Sequence, residues 1–407
     1  MSETATAVRV TRAQLAQLAR QSPAGALTRY GGIAAAIGGV AFLWALAGNA
    51  DRAWQAYHTN FVFWAVVAQA LVVFAASQKL AKGHWSGLII RIAEAAVAFQ
   101  FVVLVLFVGL FIGRDHLFGW LKDAPRPYLG TWFTTPVFFV RNELILAILA
   151  WLSWRFVRRD MAPDLEELAT GRPVDPDAQE KGLISREAAI LALAYAFGYT
   201  VLGFDLVVSL YYKWMSNLYG AFYFMGGFLG ALGALAVLTL ALRRSMGIEN
   251  LVSPKQLHDL GKLLFGFTVF WGYLMWAQFL VIWYGNMPEE TYFVWYRLWG
   301  PWRPVGAAVF ILVFVTPFIG LLGVKPKRRP ALLRGFALVS LTGLWLERYL
   351  EVVPSLSAGR GPAIGVPEIG VTLLYLGLFL LALGWFAKRY PLISPRLAAD
   401  TLEREAH

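Results

Sequence analysis

Residues 88–112 read LIIRIAEAAVAFQFVVLVLFVGLFI, a run with no proline and no turn signal whose apolar side chains cover every face of a helix. A helix rises 1.5 Å per residue, so roughly 20 apolar residues cross about 30 Å of hydrocarbon. A surface helix of a soluble globule would keep one polar face, and this run keeps none. Nine further stretches have the same character: Tyr30–Leu46, Trp54–Ser77, Pro136–Phe156, Ala188–Leu210, Leu218–Leu242, Leu257–Tyr284, Val305–Val324, Ala331–Leu350 and Pro367–Phe386. The expected fold class is therefore an all-α integral membrane protein with ten transmembrane helices. Composition agrees. Charged residues are 15% and apolar residues 58% of the 407, against about 25% charged in an average soluble domain. The 17 Trp, 16 Tyr and 29 Phe suit aromatic belts at two membrane interfaces.

Charge sets the expected orientation. Of the 36 Lys and Arg, with those near a span end counted with the nearer side, 26 fall on the side of the N-terminus, nine fall on the other side, and Arg141 is left over within a span. Such an excess marks the cytoplasmic face, which places both termini in the cytoplasm. It also accounts for the net charge of +11 without a nucleic-acid partner. The expected divisions are a tail over 1–29, spans one to four over 30–156, a polar linker over 157–187, spans five to ten over 188–386 and a tail over 387–407. About thirty residues precede the first apolar run, too long for the n-region of an ordinary signal peptide. The basic turn 325–330, KPKRRP, suits anionic membrane lipid. The aromatic stretch 286–304 suits an interface or a partner equally.

Ionisable residues inside spans are expensive and become functional candidates. Toward the cytoplasmic side these are Glu94, His258, Asp259 and Lys262, the last reachable by both of its partners across one helical face. Toward the other side they are Arg141, Glu143, Asp205, Glu347 and Arg348. Two polar groups with apolar helix between them would serve as inward and outward halves of a proton path; two sets of structural ion pairs would give the same pattern. Asp205 and Glu94 stand out as too short to snorkel to the surface. Asp205 and Glu347 also fall at similar depths of the fifth and ninth spans, a weak hint of duplication. With no cysteine and only five histidines, a metal-thiolate site, an iron–sulfur cluster and covalent haem are excluded for this chain alone, and the one histidine pair at a shared depth, His58 with His116 at the outer edge, argues against a diheme cytochrome.

Several strings resemble a known family. Residues 203–210, GFDLVVSL, followed by Trp214, Ser216 and Gly220, are similar to a stretch of the NrfD-like membrane subunits of alternative complex III. Residues 258–265, HDLGKLLF, and 278–290, QFLVIWYGNMPEE, resemble the second quinone-type membrane subunit of that complex, the ActF family. Residues 91–95 and 111–118 are similar as well, so the likeness runs from about Ala53 to Pro304. It implies two four-helix bundles with two flanking helices, in a bacterial cytoplasmic (inner) membrane. It implies membership in a quinol:cytochrome c (or other acceptor) oxidoreductase. The implied partners are a paralogous NrfD-like subunit, an iron–sulfur subunit and multihaem c-type cytochrome subunits, which would hold all haem and clusters. By residue match, Glu94, Asp205, His258, Asp259 and Lys262 inherit a proposed proton path. Residues 211–214, YYKW, depart from the family pattern, where an acid, Pro and His precede the tryptophan.

The sequence therefore leads to a scaffolding, proton-conducting or quinone-binding membrane subunit with no catalytic residue, metal or covalent cofactor of its own. His258, Tyr273, Gln278 and Trp283 are the candidate contacts for quinone or menaquinone. The competing class is a secondary transporter that binds a cation or solute at its buried carboxylates.

Overall fold

A computed structural model describes residues 10–121, 131–174, 178–211, 213–357 and 359–406. The start of the N-terminal tail, part of the linker around 175–177, Tyr212 and the terminal His407 lie outside the described residues. Among the described residues the secondary structure is helical throughout. In chain order the helices are α1 (Arg12–Ala19), α2 (Ala24–Gly48), α3 (Ala50–Leu80), α4 (Ile90–Glu94), α5 (Val97–Ile112), α6 (Arg114–Leu117), α7 (Thr135–Thr170), α8 (Ala178–Leu206) and α9 (Tyr219–Leu242). They continue with α10 (Pro254–Gly285), α11 (Pro288–Leu298), α12 (Arg303–Val309), α13 (Thr316–Gly320), α14 (Val324–Arg328), α15 (Pro330–Leu356), α16 (Val366–Arg389) and α17 (Pro395–Ala406). A π-helical segment, Phe310–Val315, joins α12 to α13.

Among the described residues, nine helical stretches are long and apolar enough to cross a membrane, the build of a multi-pass membrane protein. Ten were expected. The remaining long helix, α15, is outside the set and carries Arg334, Glu347, Arg348 and Glu351. Three of these charges are buried rather than displayed, Glu347, Arg348 and Glu351, while Arg334 is exposed.

Packing follows from which faces are apolar. α3 is buried nearly along its whole length and meets α5, α8, α9, α15 and α16. Around it, α3, α5, α7 and α8 contact one another, and α9, α10, α15 and the α12–α13 stretch form a second group. α2 and α16 pack along each other on the outside of α3. Glycine makes that last pairing possible. A Cβ at Gly38 would sit 2.2 Å from Leu374 N, and one at Gly377 would sit 2.2 Å from Ala35 N, so the two backbones touch where side chains would otherwise hold them apart. Small residues do this work between membrane helices, where no hydrophobic effect drives association. The outward face of α2 exposes Ile33, Ile37, Val40 and Leu43, as a lipid-facing surface requires.

One boundary is corrected. The fourth span was expected to end at Phe156 and a polar linker to begin at residue 157, yet α7 runs on unbroken to Thr170 and ends on Gly171 in the left-handed conformation, φ 67°. The extension is amphipathic. Val157, Asp160, Met161, Asp164 and Glu167 turn inward while Arg158, Leu165 and Glu166 face out, so a polar composition concealed a buried face.

Candidate functional site

Three buried ionic networks are assembled from these helices. The first is centred on Arg91 of α4. Its guanidinium donates to Asp160 Oδ2 (3.0 Å), to Asp164 Oδ2 (2.5 Å) and to the Asp160 carbonyl (2.7 Å), and it pairs with Glu94. Arg91, Glu94, Asp160 and Asp164 have no exposed surface. Lys79 Nζ of α3 meets Asp160 at 2.8 Å. Ser394 Oγ donates to Asp164 at 2.8 Å, and Arg396 comes within 3.8–3.9 Å of both aspartates. Three cations thus face three carboxylates, which is what makes so much buried charge tolerable. Glu94 Oε1 is buried with no hydrogen-bond partner among the described residues.

The second network joins α7 and α8. Arg141 grips Asp205 through both Nε (2.9 Å) and a terminal nitrogen (2.6 Å). Trp132 Nε1 donates to the other carboxylate oxygen at 3.1 Å, and its ring lies 3.8 Å beneath the guanidinium. His58 of α3 is fully buried beside them, its Nε2 2.7 Å from the Leu206 carbonyl and its Nδ1 without a partner among the described residues. Glu143 is two residues from Arg141 on a different helical face; its shielded Oε2 has no partner among the described residues.

The third lies in the second helix group. Glu347 accepts from Trp271 Nε1 (2.7 Å) and from Arg348 (2.7 Å), and Arg348 also donates to Glu351 (2.6 Å). The Arg348 guanidinium stacks on Tyr223 at 4.7 Å and leaves space only for Gly226 on α9. Arg297 of α11 donates to the Leu350 and Glu351 carbonyls and to Ser355 Oγ at 3.0, 3.2 and 2.7 Å. An apolar-walled cavity of about 140 Å³ adjoins this network, with Trp214, Tyr219, Gln278, Phe279, Arg297 and Glu351 in its lining.

Geometry links the first two networks. Arg141 and Asp160 are about 28 Å apart along α7, and His58 and Lys79 about 31 Å apart along α3, at 1.5 Å per residue. The networks therefore occupy opposite ends of one helix pair. Between them Gln69 Nε2 donates to Ser153 Oγ at 2.8 Å, a fully buried polar contact near the midpoint of both helices.

The expected residues separate into groups. Glu94, Arg141, Asp205 and Glu347 are each at the heart of a network. Asp259 and Lys262 form a 2.6 Å pair at the partly exposed start of α10, and His258 makes no hydrogen bond among the described residues. The four candidate quinone contacts do not come together. Gln278 reaches the cavity, accepting from Ser216 Oγ at 3.0 Å, whereas Tyr273 and Trp283 are 62% and 60% exposed on the outer face, and His258 lies at the far end of α10. Sequence reading missed Arg91, Asp160, Asp164, His58, Arg297 and Glu351. A signal existed for Asp160 and Asp164, whose spacing of four puts both on one helix face. Among the described residues, no group of His, Asp and Glu could hold a metal ion.

No protein-family model matches this chain, and no curated protein matches it.

Proposed function

We propose that this chain is a ten-span subunit of a quinol-oxidising respiratory complex in a bacterial cytoplasmic membrane, with both termini cytoplasmic. In this reading it scaffolds haem- and iron–sulfur-bearing partners and carries protons through its first helix group. One observation supports the proton role above others: two buried networks at opposite ends of α3 and α7, with Gln69 and Ser153 buried between them. Each network couples a carboxylate to an arginine, so a proton arriving at Glu94 or Asp205 would be exchanged against a fixed positive charge rather than against bare hydrocarbon. The strings at 203–210, 258–265 and 278–290 supply the choice of complex. The test is proton release per quinol oxidised by the purified complex. Asp205→Asn and Gln69→Leu should each lower that ratio while leaving electron transfer to the acceptor running; an unchanged ratio in both would remove the proton role.

A second reading has its own observation. The third span breaks between α4 and α5, directly after Glu94, and the eighth is interrupted by the π segment. Interrupted spans beside buried acids are the build of a secondary transporter. Solute or cation uptake by the chain alone in liposomes would favour it, and silence there would count against it.

A further inference from the structure

A basic recess lies on the outer surface of α7, beside the first network but not part of it. It has a volume of about 370 Å³ and is lined by Trp151, Trp154, Arg155, Arg158 and Arg159. The spacing of Trp151, Trp154, Arg155 and Arg158 puts all four on one face of the helix. The same stripe continues backward through Ile148, Leu144, Val140 and Val137, all exposed and all aliphatic. From Trp151 back to Val140 is about 16 Å along the helix, close to the depth of one leaflet's hydrocarbon, half of about 30 Å. A single face of α7 thus offers an acyl-chain track, then tryptophan at the level where that side chain gathers in membranes, then guanidinium groups.

The charges there are not balanced within the protein. Glu187 of α8 is the carboxylate in contact, taking Arg155 Nε at 2.8 Å and Arg159 on the same oxygen. Arg158 is exposed and makes no ion pair or hydrogen bond among the described residues. Three guanidinium groups and one carboxylate leave two positive charges at the edge of an apolar surface. Trp154 closes the recess on its other side by packing on Tyr390, which follows the exposed Lys388 and Arg389 at the end of α16. Arginine binds phosphate through a planar fork of donors, which suits it to a phosphodiester better than a lysine's point charge does.

We infer that this face of α7 is a binding site for an anionic phospholipid, and that the two unneutralised charges select a headgroup with two phosphates, of the diphosphatidylglycerol class. The acyl chains lie along Val140–Trp151 and the phosphates meet Arg155, Arg158 and Arg159. The inference is independent of the respiratory-complex reading, since it needs only this chain and a bilayer.

Native mass spectrometry of the full chain, delipidated in mild detergent and titrated with defined lipids, tests it. Diphosphatidylglycerol should form a one-to-one adduct that phosphatidylcholine does not form and phosphatidylglycerol forms more weakly. Arg158→Gln should weaken the adduct about fivefold and Arg155→Gln with Arg158→Gln about twentyfold or more, at about 1 kcal/mol per basic residue. Arg155→Lys with Arg158→Lys should recover part of the loss. Lys82→Gln with Arg172→Gln, which removes the same charge from exposed positions elsewhere, should change nothing. Melting temperature in detergent, measured on every variant, separates lost binding from lost folding, and Arg158→Gln alone decides the matter if the double variant fails to fold. Equal adducts in wild type and Arg158→Gln would overturn the inference, as would an equal loss in the Lys82→Gln with Arg172→Gln control. Inorganic phosphate protecting the melting temperature as well as the lipid does would assign the site to a free anion instead.

Discussion

Arg91 shows what a buried charge requires. Its guanidinium meets three carboxylates and a backbone carbonyl, all enclosed. Removing one partner from such a network leaves charge in an apolar interior and typically costs about 3–5 kcal/mol. Arg91→Met is therefore expected to lower unfolding stability by about that amount, read from denaturant or thermal unfolding in detergent. Asp205 makes a related but more isolated pair. Arg141→Gln and Asp205→Asn should each destabilise the protein, and the double variant should destabilise it by less than the sum, because the second change removes the charge that the first left unpaired. A double-mutant cycle checks this; additive losses would mean the two side chains do not act together. At this scale the sequence was legible for acids embedded in apolar runs, such as Glu94, Asp205 and Glu347. Arg91 lay inside the third apolar run but near its end, where it was counted with the neighbouring loop, Asp160 and Asp164 lay beyond the apolar run, and His58 lay at the end of one. Only packing reveals that those positions are enclosed.

At the scale of elements, the α2–α16 contact rests on backbone proximity. Gly38→Leu would need space already filled by the backbone of Leu374. Overpacking costs about 1–3 kcal/mol where side chains can yield, and a backbone yields less. The expected outcome is a lower melting temperature together with faster proteolysis of α2, whereas Gly39→Leu, with nothing within 4 Å of its Cβ, should be tolerated. α17 is held differently. His84 Nδ1 lies 2.5 Å from Asp400, Arg404 donates to Asp400 at 2.9 Å, and Ser253 Oγ donates to Glu405 at 3.1 Å. Burial raises the Asp400 carboxyl, but its bonds to Arg404 and His84 outweigh burial and hold it below its ordinary value. A depressed acid stabilises the docked state above its unfolded pKa, about 3.9, and that contribution is lost as pH falls through the folded value. Hydrogen exchange of residues 395–406 should therefore stay slow near neutrality and speed up selectively below about pH 4. The long helices were legible from apolar length, whereas the short α1, α11 and α17, mixed in composition, fell where tails and a loop were expected. The stretch 157–170 escaped notice because its polar composition hides a buried face formed by Val157, Asp160, Met161, Asp164 and Glu167.

The molecule as a whole carries its polar chemistry at the ends of its helices. Asp205 and Glu347 each sit late in the last long helix of a helix group, each bound by an arginine and by a tryptophan N–H. The likeness is chemical more than geometric, since Arg141 comes from a neighbouring helix and Arg348 from the same one. The all-helical, multi-pass build could be read from apolar runs. The partners of those acids could not, because hydropathy averages over faces and says nothing of which helices meet. The central claim concerns the company this chain keeps, and it is tested most directly by purifying the tagged protein in mild detergent, identifying what co-purifies by mass spectrometry and recording the visible spectrum. The account predicts c-type haem absorption, an iron–sulfur subunit and a second multi-span subunit of similar build. A colourless preparation containing this chain alone would contradict it.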